Sequence, residues 1–198
     1  AIYVANGWRT LQTIGWQHSE PVLRSLAYAL LERGRGNPAE NDYEADRPGK
    51  SNWLALKTIR QGWIHGEVKP EASSELLEVL RQGNWQDASS RVIAMLNRGI
   101  DPKCLWDAFF QHAAEMMIRR SGIVSLHACT STNAIHYLYQ QTDSDEIKRF
   151  LLLQNAAFLT LFREAGGVSD GISIEHFEPA EGKPGLDEIF ADVGNNRI

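Results

Sequence analysis

The sequence predicts an all-α protein, and three observations carry that prediction. Apolar residues recur at helical spacing along most of the chain, residues that start and stop helices are frequent, and no run alternates between apolar and polar side chains as a half-buried strand does. Strands and helices do not alternate in βαβ order either. We therefore expect a multi-helix globular domain of about seven helices over residues 1–167, followed by an irregular C-terminal extension over residues 168–198.

The first strong helix signal is the Ser-Glu-Pro run at residues 19–21. Serine is a good N-cap, an acid suits the first turn, and proline is tolerated there. This helix is expected to stop at Gly34. The next stretch, 37–50, is polar and contains two prolines and four acidic residues, which predicts a surface loop. Ser51 is expected to cap the following helix, which would end near Gly66.

Five helices with clear boundaries follow. Proline, or a capping Asn or Asp, begins three of them, and glycine ends most of them. The predicted spans are 70–83, 84–99, 101–122, 123–141 and 145–164. After Gly167 the chain is rich in Gly, Pro and acidic residues. Only a short possible strand at Ile172 and Ile174 and a short helix over 186–191 interrupt the predicted irregular extension.

Charge and hydropathy exclude two classes of partner. The 198 residues carry a net charge of -5, which is not the basic footprint of a nucleic-acid binder. The longest apolar run, 150–162, is interrupted by Gln154 and Asn155 and is shorter than the roughly 20 residues that span a bilayer. We expect no nucleic-acid and no membrane partner, and a small molecule as the substrate.

The two cysteines, Cys104 and Cys129, form no Cys-x-x-Cys motif and are too few for a disulfide framework. They predict buried thiols in a reducing compartment. The chain shows no signal peptide and begins at Ala1 rather than Met. We expect a fragment of a longer protein, with the cytoplasm as the default location.

His18 is the first of three histidine positions where chemistry is expected. If the first strong helix began at His18, this residue would share a face with Val22 and Leu26. With Glu20 two residues further on, it is a candidate metal ligand or acid/base. The alternative is a histidine that caps the helix or makes a local hydrogen bond.

His112 and Glu115 are spaced i, i+3 on the predicted helix that begins at Asp101. They fall on one face of it, together with Phe109 and Met116, at about 100° per residue. Carboxylate–histidine pairs at this spacing bind metals in helical bundles, although the usual order there is Glu-x-x-His. A buried ion pair or a local hydrogen bond explains the pair more simply.

The segment 126–136 has small and polar side chains where a surface helix would carry Lys and Glu. Small residues let a neighbouring helix or a ligand come close, and the polar groups then need partners. His127 and His136 lie on opposite sides of one continuous helix, because nine residues correspond to about two and a half turns. They can bind one ion only if the helix breaks between them.

The run His127-Ala128-Cys129-Thr130, followed by Ala134, resembles the His-Ala-Val-Thr segment of questin oxidase-like proteins. The Trp-Gln-His-Ser-Glu-Pro run at residues 16–21 is a second point of similarity. The resemblance implies a helical fold with a histidine-lined pocket, and the family's oxidation of polyketide-type aromatic substrates, a Baeyer–Villiger oxygenation. This chain departs from the motif at Cys129, where the family has an aliphatic residue. It also has no nucleotide-binding fingerprint for a flavin or a reductant.

Two hypotheses of function follow. The first is an oxidoreductase with a histidine-lined, metal-binding pocket, in which His127 and His136 are catalytic. His18, His127 and Glu115 would bind the metal, and iron or zinc suits such imidazole and carboxylate ligands. The second is a non-catalytic helical binding or scaffold module, which would use its small-residue helix and Trp-rich surfaces while its histidines are structural.

Overall fold

The computed structural model describes residues 1–32, 40, 42–167 and 185–195, and these residues form nine α-helices with no strand beyond a single β-bridge. The prediction of an all-α protein is confirmed. The helices are α1 (Ile2–Ile14), α2 (Ser19–Glu32), α3 (Arg47–Ala55), α4 (Pro70–Gln82), α5 (Trp85–Asn97), α6 (Pro102–Arg119), α7 (Ile123–Gln141), α8 (Asp145–Gly166) and α9 (Leu186–Gly194).

Helix α8 lies at the centre of the packing. It contacts α7 and α5 most extensively and also touches α3, α4 and α6. Because α8 has neighbours on several sides, it carries apolar residues on more than one face. Four of them are fully buried: Leu152, Leu153, Ala156 and Leu159. Helices α4 to α6 supply most of the remaining core.

Local capping chemistry sets the helix boundaries in the middle of the chain. The Asn84 side chain accepts a hydrogen bond from the Asp87 backbone N–H at 2.9 Å, and Asp87 accepts one from the Asn84 N–H at 3.0 Å. This capping box begins α5. Asp101 caps α6 by accepting from the Lys103 N–H at 2.8 Å. The predicted starts of both helices are confirmed.

The predicted helix from Ser51 to Gly66 is wrong at both ends. Helix α3 begins at Arg47, inside the predicted loop, with Pro48 in its first turn, and it ends at Ala55. A 3₁₀ turn, Leu56–Thr58, follows. Trp63 lies beyond it in a turn and is fully buried. The apolar residue at this position is therefore a buried loop residue and not part of a helix. Its indole Nε1 donates to Asp145 Oδ1 at 2.6 Å.

Helix α1 is the helix that the sequence pattern does not reveal. Together with α2 it forms a hairpin that meets the rest of the fold at α7. Arg9 donates to Asn133 Oδ1 at 2.8 Å, and Gln12 donates to Gln141 Oε1 at 3.1 Å. Ala5 and Leu11 of α1 are buried as well, so apolar and polar contacts together hold this helix. Helix α2 has no buried residue.

The C-terminal extension is described only in part. The helix predicted over 186–191 is present as α9 and continues to Gly194. The possible strand at Ile172 and Ile174 lies outside the described residues. Helices α1 and α9 account for the difference between nine helices and the expected seven, and the division at residue 167 stays a prediction. Within the described ranges, none of the helices has the length and apolar character needed to cross a membrane.

Candidate functional site

A cavity lies where the C-terminal ends of α4, α6 and α8 meet the start of α7. Its volume is about 70 Å³, which is room for a few water molecules or one small polyatomic ion. Six charged or titratable side chains line the cavity: Arg81, His112, Glu115, Arg119, Arg120 and Arg163.

Helix α6 supplies three of these side chains through its periodicity. His112, Glu115 and Arg119 are spaced three and four residues apart, so they lie on one face of the helix. The predicted shared face of His112 and Glu115 is confirmed, since both side chains line the cavity. Arg81 and Arg119 lie in the last turns of α4 and α6, where the helix dipole favours cations.

Glu115 is an almost completely buried carboxylate whose side chain is 1% exposed. It accepts two hydrogen bonds from Arg81, one from Nε at 3.0 Å and one from Nη2. Arg119 Nη2 lies 3.6 Å from Glu115 Oε2. A two-pronged guanidinium–carboxylate pair is the strongest common form of ion pair. Glu115 therefore fixes both guanidinium groups beside the cavity.

His112 is the unusual member of this group. It is 3% exposed, and neither ring nitrogen has a hydrogen-bond partner among the described residues. Its Nδ1 lies 4.0 Å from Glu115 Oε2, beyond hydrogen-bond range. Burial, and then the positive charges of nearby arginines, lowers the pKa of His112 to about 3. The imidazole is thus neutral at pH 7 and offers one donor and one acceptor.

Arg163 and Arg120 are held against helix ends. Arg163 donates from Nη1 to the Leu80 carbonyl at 2.5 Å and from Nη2 to the Gly83 carbonyl at 2.7 Å. Its partial burial lowers the pKa of the guanidinium. Arg120 donates from Nη1 to the carbonyl of Gly166. Both side chains therefore have fixed positions on the cavity wall.

Gly167 permits the close approach of Arg120. Its φ is +73°, and a Cβ at this position would lie 2.6 Å from Arg120 Nη1. Any other residue would have to adopt a left-handed backbone, and its Cβ would displace the end of the Arg120 side chain. Glycine therefore permits the position that Arg120 has in the structure.

Among the described residues, four guanidinium groups and one carboxylate, Glu115, line the cavity. Glu78 and Glu164 contact Arg81 and Arg163 from the outside, but they are 58% and 47% exposed and solvent screens them.

The predicted metal ligands lie in different surroundings. His18 is exposed in the 3₁₀ turn Trp16–His18, and His127 is exposed on α7, whereas Glu115 is buried against Arg81. The described part of the chain contains no group of three or more His, Cys, Asp or Glu side chains placed to hold a metal ion. The iron or zinc site at these residues stays a prediction without support from this geometry.

The predicted catalytic pair is not brought together. Helix α7 runs unbroken from Ile123 to Gln141, so His127 and His136 point to opposite sides. His127 is exposed, while the His136 ring packs against Trp106 and Phe110 with centroid distances of 4.6 and 5.2 Å. Burial lowers the pKa of His136. A catalytic role for the two residues, and with it the oxidoreductase hypothesis, stays a prediction.

The small residues of α7 serve helix packing. This helix contacts α1, α6 and α8, and the Cys129 thiol donates to the Ala113 carbonyl at 3.2 Å. Burial raises the pKa of that thiol, which keeps it protonated and unreactive at pH 7. The buried small residues Ala128, Thr132 and Ala134 therefore allow close approach between helices, whereas His127 and Thr130 are exposed.

Sequence reasoning found His112 and Glu115 but not the arginines around them. Arg81 is 34 positions from Glu115 along the chain, and Arg163 belongs to another helix. Nothing in their local sequence shows that the ends of α4, α6 and α8 converge. The one available signal was Arg119, which follows Glu115 at i, i+4.

Comparison of the chain with protein-family models, with curated proteins and with solved structures gave no match. The similarity to questin oxidase-like proteins therefore depends on the short motifs alone.

Proposed function

We propose that this protein is a helical binding module that takes a small anion into the cavity between α4, α6 and α8. One observation carries the proposal. His112 is a buried, neutral imidazole whose two nitrogens have no hydrogen-bond partner among the described residues, and it faces a space lined by four guanidinium groups.

The free energy that it costs to bury His112 without hydrogen bonds supports a functional role for this residue. Leaving a buried polar atom without a hydrogen bond costs about 1–3 kcal/mol. An apolar residue at this position would avoid that cost, and Phe109 and Ala113, the neighbours of His112 on α6, are both buried. Rules of stable packing are broken mainly where a site needs the group. An oxygen atom of a ligand would accept the imidazole N–H.

The charge of the lining selects the sign of the ligand. An anion entering this space meets a guanidinium excess at short range and in partly excluded water, where Coulomb attraction is stronger than in bulk solvent. Guanidinium groups also present paired N–H donors that fit oxyanions.

The site is built before the ligand arrives. Glu115 holds Arg81 and Arg119, while backbone carbonyls at the ends of α4 and α8 hold Arg163 and Arg120. Rigid donors lose little conformational entropy on binding, so more of the interaction energy is retained as affinity. The proposal assigns binding and no chemical step.

Isothermal titration calorimetry of the wild type and of His112→Leu tests the proposal, with phosphate, sulfate, acetate and succinate as probes. We expect saturable binding of at least one anion to the wild type and about tenfold weaker binding to the variant, since one hydrogen bond to a charged group is lost. His136→Leu is the matched control, because His136 lies against Trp106 on another face, and its affinity should equal that of the wild type. Absence of binding by all four anions would overturn the proposal.

A further inference from the structure

Helix α2 carries an exposed apolar face, and we infer that two copies of this chain associate through it. The face, called here the outer face of α2, consists of Leu23, Ala27, Leu30 and Leu31. None of these residues lines the cavity between α4, α6 and α8, so the inference does not depend on the proposed function.

Helix α2 is far more apolar than its burial requires. Between Val22 and Leu31, only Arg24 and Ser25 interrupt a run of aliphatic and aromatic side chains, yet no residue of α2 is buried. A helix that is apolar on all sides is normally enclosed by other protein. Within the described ranges α2 packs mainly on α1, and Val22 and Leu26 line a space that it shares with that helix. The opposite side of α2 therefore lacks the cover that its composition calls for.

The outer face has the geometry of a helix-packing stripe. Leu23, Ala27 and Leu31 are spaced four residues apart, and Leu30 lies beside them, so all four fall on one side of α2. The three leucines are 50%, 66% and 73% exposed in chain order. Ala27 lies in the middle of the stripe and is exposed, and its small side chain lets a second helix approach closely. In an antiparallel pair centred on Ala27, Leu23 of each copy packs on Leu31 of the other.

The outer face is large enough for a dimer. Tyr28, which is 67% exposed, adjoins the three leucines. With roughly 150–200 Å² for each fully exposed side chain, these four residues present about 400–500 Å² of apolar surface. Two copies, with the polar groups at the rim, bury about 1,000–1,200 Å², which reaches the lower limit for a specific interface. An interface of this size is expected to have micromolar affinity.

The charges beside this face suit a contact between identical surfaces. In a two-fold dimer the same patch meets itself, so charges of one sign would repel the second copy. Arg24 forms an ion pair with Glu20 at the rim of the face. The charged side chains of residues 1–32 are two arginines and two glutamates, which sum to zero, although the whole chain carries -5. A helix that binds an anionic membrane carries many Lys and Arg on its polar side, whereas α2 has a single arginine.

Sedimentation velocity of the full chain at about 1–200 µM, the range in which such an affinity is measured, tests the inference. We expect a reversible shift from the mass of one chain to twice that mass as the concentration rises. A chain that remains monomeric at the highest concentration would overturn the inference. A monomer that sediments with vesicles of phosphatidylcholine and phosphatidylserine would also overturn it and would assign the outer face to a lipid surface.

Leu31→Glu and Leu54→Glu form a matched pair of variants. The two leucines are 73% and 71% exposed, but Leu54 lies on α3, outside the outer face. Because a two-fold interface contains every substitution twice, Leu31→Glu should weaken the dimer about tenfold or more. Leu54→Glu should dimerise as the wild type does. Since both positions are exposed, both variants should fold, which circular dichroism checks. Equal dimerisation by the two variants would exclude the outer face as the interface.

Cross-linking tests the antiparallel pairing without measuring affinity. In that arrangement the two Ala27 residues face each other at the closest point of the helices, within reach of a disulfide. Ala27→Cys should therefore form a covalent dimer under mild oxidation, whereas Leu54→Cys and the wild type should not. Cross-linking of Leu54→Cys as rapid as that of Ala27→Cys, or none in Ala27→Cys, would overturn the assignment of this face.

Discussion

Replacing Glu115 with glutamine should lower stability and raise anion affinity at the same time. Glutamine keeps the shape of the side chain and removes its charge. Arg81 and Arg119, whose side chains are only 18% and 26% exposed, then lose their buried counterion. The same change removes the one negative charge found among the described residues that line the cavity. This one substitution therefore tests both the stabilising role of Glu115 and its electrostatic repulsion of a bound anion.

The size of the stability loss follows from the contacts of Glu115. Of the two hydrogen bonds from Arg81, the glutamine carbonyl oxygen accepts one without charge assistance, whereas the glutamine NH2 group is a donor and cannot accept the other. Together these changes cost about 2 kcal/mol. The attraction to Arg119 at 3.6 Å adds a smaller amount, because Arg119 is partly solvated. We expect a loss of about 2–3 kcal/mol, below the cost of about 3–5 kcal/mol for deleting one partner of a fully buried pair.

The gain in affinity follows from the lost repulsion. At an effective dielectric constant near 20, one charge at the far side of such a cavity changes the binding free energy by about 1–2 kcal/mol. Phosphate or sulfate should therefore bind about tenfold more tightly to Glu115→Gln than to the wild type.

Urea unfolding followed by circular dichroism measures the first effect and calorimetry the second. Glu78→Gln is the control, because Glu78 contacts the same Arg81 at 4.0 Å but is 58% exposed. It should change stability by less than about 0.5 kcal/mol. Equal stability of the two variants, or weaker anion binding by Glu115→Gln, would refute the reasoning.

Three further predictions concern single residues. His112→Leu should stabilise the ligand-free protein by about 1–2 kcal/mol and flatten its pH dependence in urea melts. The pKa of His112 is about 3 in the folded protein and higher in the unfolded chain, so on acidification the unfolded chain binds a proton first. The free energy of unfolding of the wild type therefore falls as the pH drops from about 6.5 to 3. An equal dependence of unfolding free energy on pH in the variant would contradict this. Asn84→Ala removes the capping box of α5 and should cost about 1 kcal/mol by urea unfolding, whereas Asn195→Ala, at the exposed residue that follows the end of α9, is expected to be neutral. Gly167→Ala should lower the melting temperature and weaken the binding of phosphate, because φ is +73° at this position and the added Cβ would displace Arg120. A phosphate affinity equal to that of the wild type would contradict the role given to Arg120 in the cavity wall.

The fold was predictable wherever local chemistry decides it. Asn84 and Asp101 satisfy the first N–H groups of their helices with their own side chains, and such signals depend on a few adjacent residues. Trp63 shows the opposite case. It lies in a turn, is packed into the hydrophobic core and donates to Asp145 on α8, so its apolar spacing suggested a helix that is absent. Helix α1, which buries Ala5 and Leu11 and contacts α7 through Arg9 and Gln12, was not predicted.

The candidate site was predictable only along one helix. The spacing of His112 and Glu115 places them on one face of α6, and the structure confirms that placement. The charge that gives the cavity its character comes from Arg81 and Arg163, whose helices meet α6 only after the chain has folded. His127 was favoured because small polar residues surround it, yet these residues serve the packing of α7. Periodicity identifies which residues share a face, but not which helices converge.

A crystal structure of the protein grown with saturating phosphate tests the central claim most directly. The account predicts one phosphate in the cavity, with an oxygen within about 3.2 Å of a His112 ring nitrogen and further oxygens on Arg120 and Arg163. A cavity that holds only water under those conditions, with His112 bonded to that water, would contradict it.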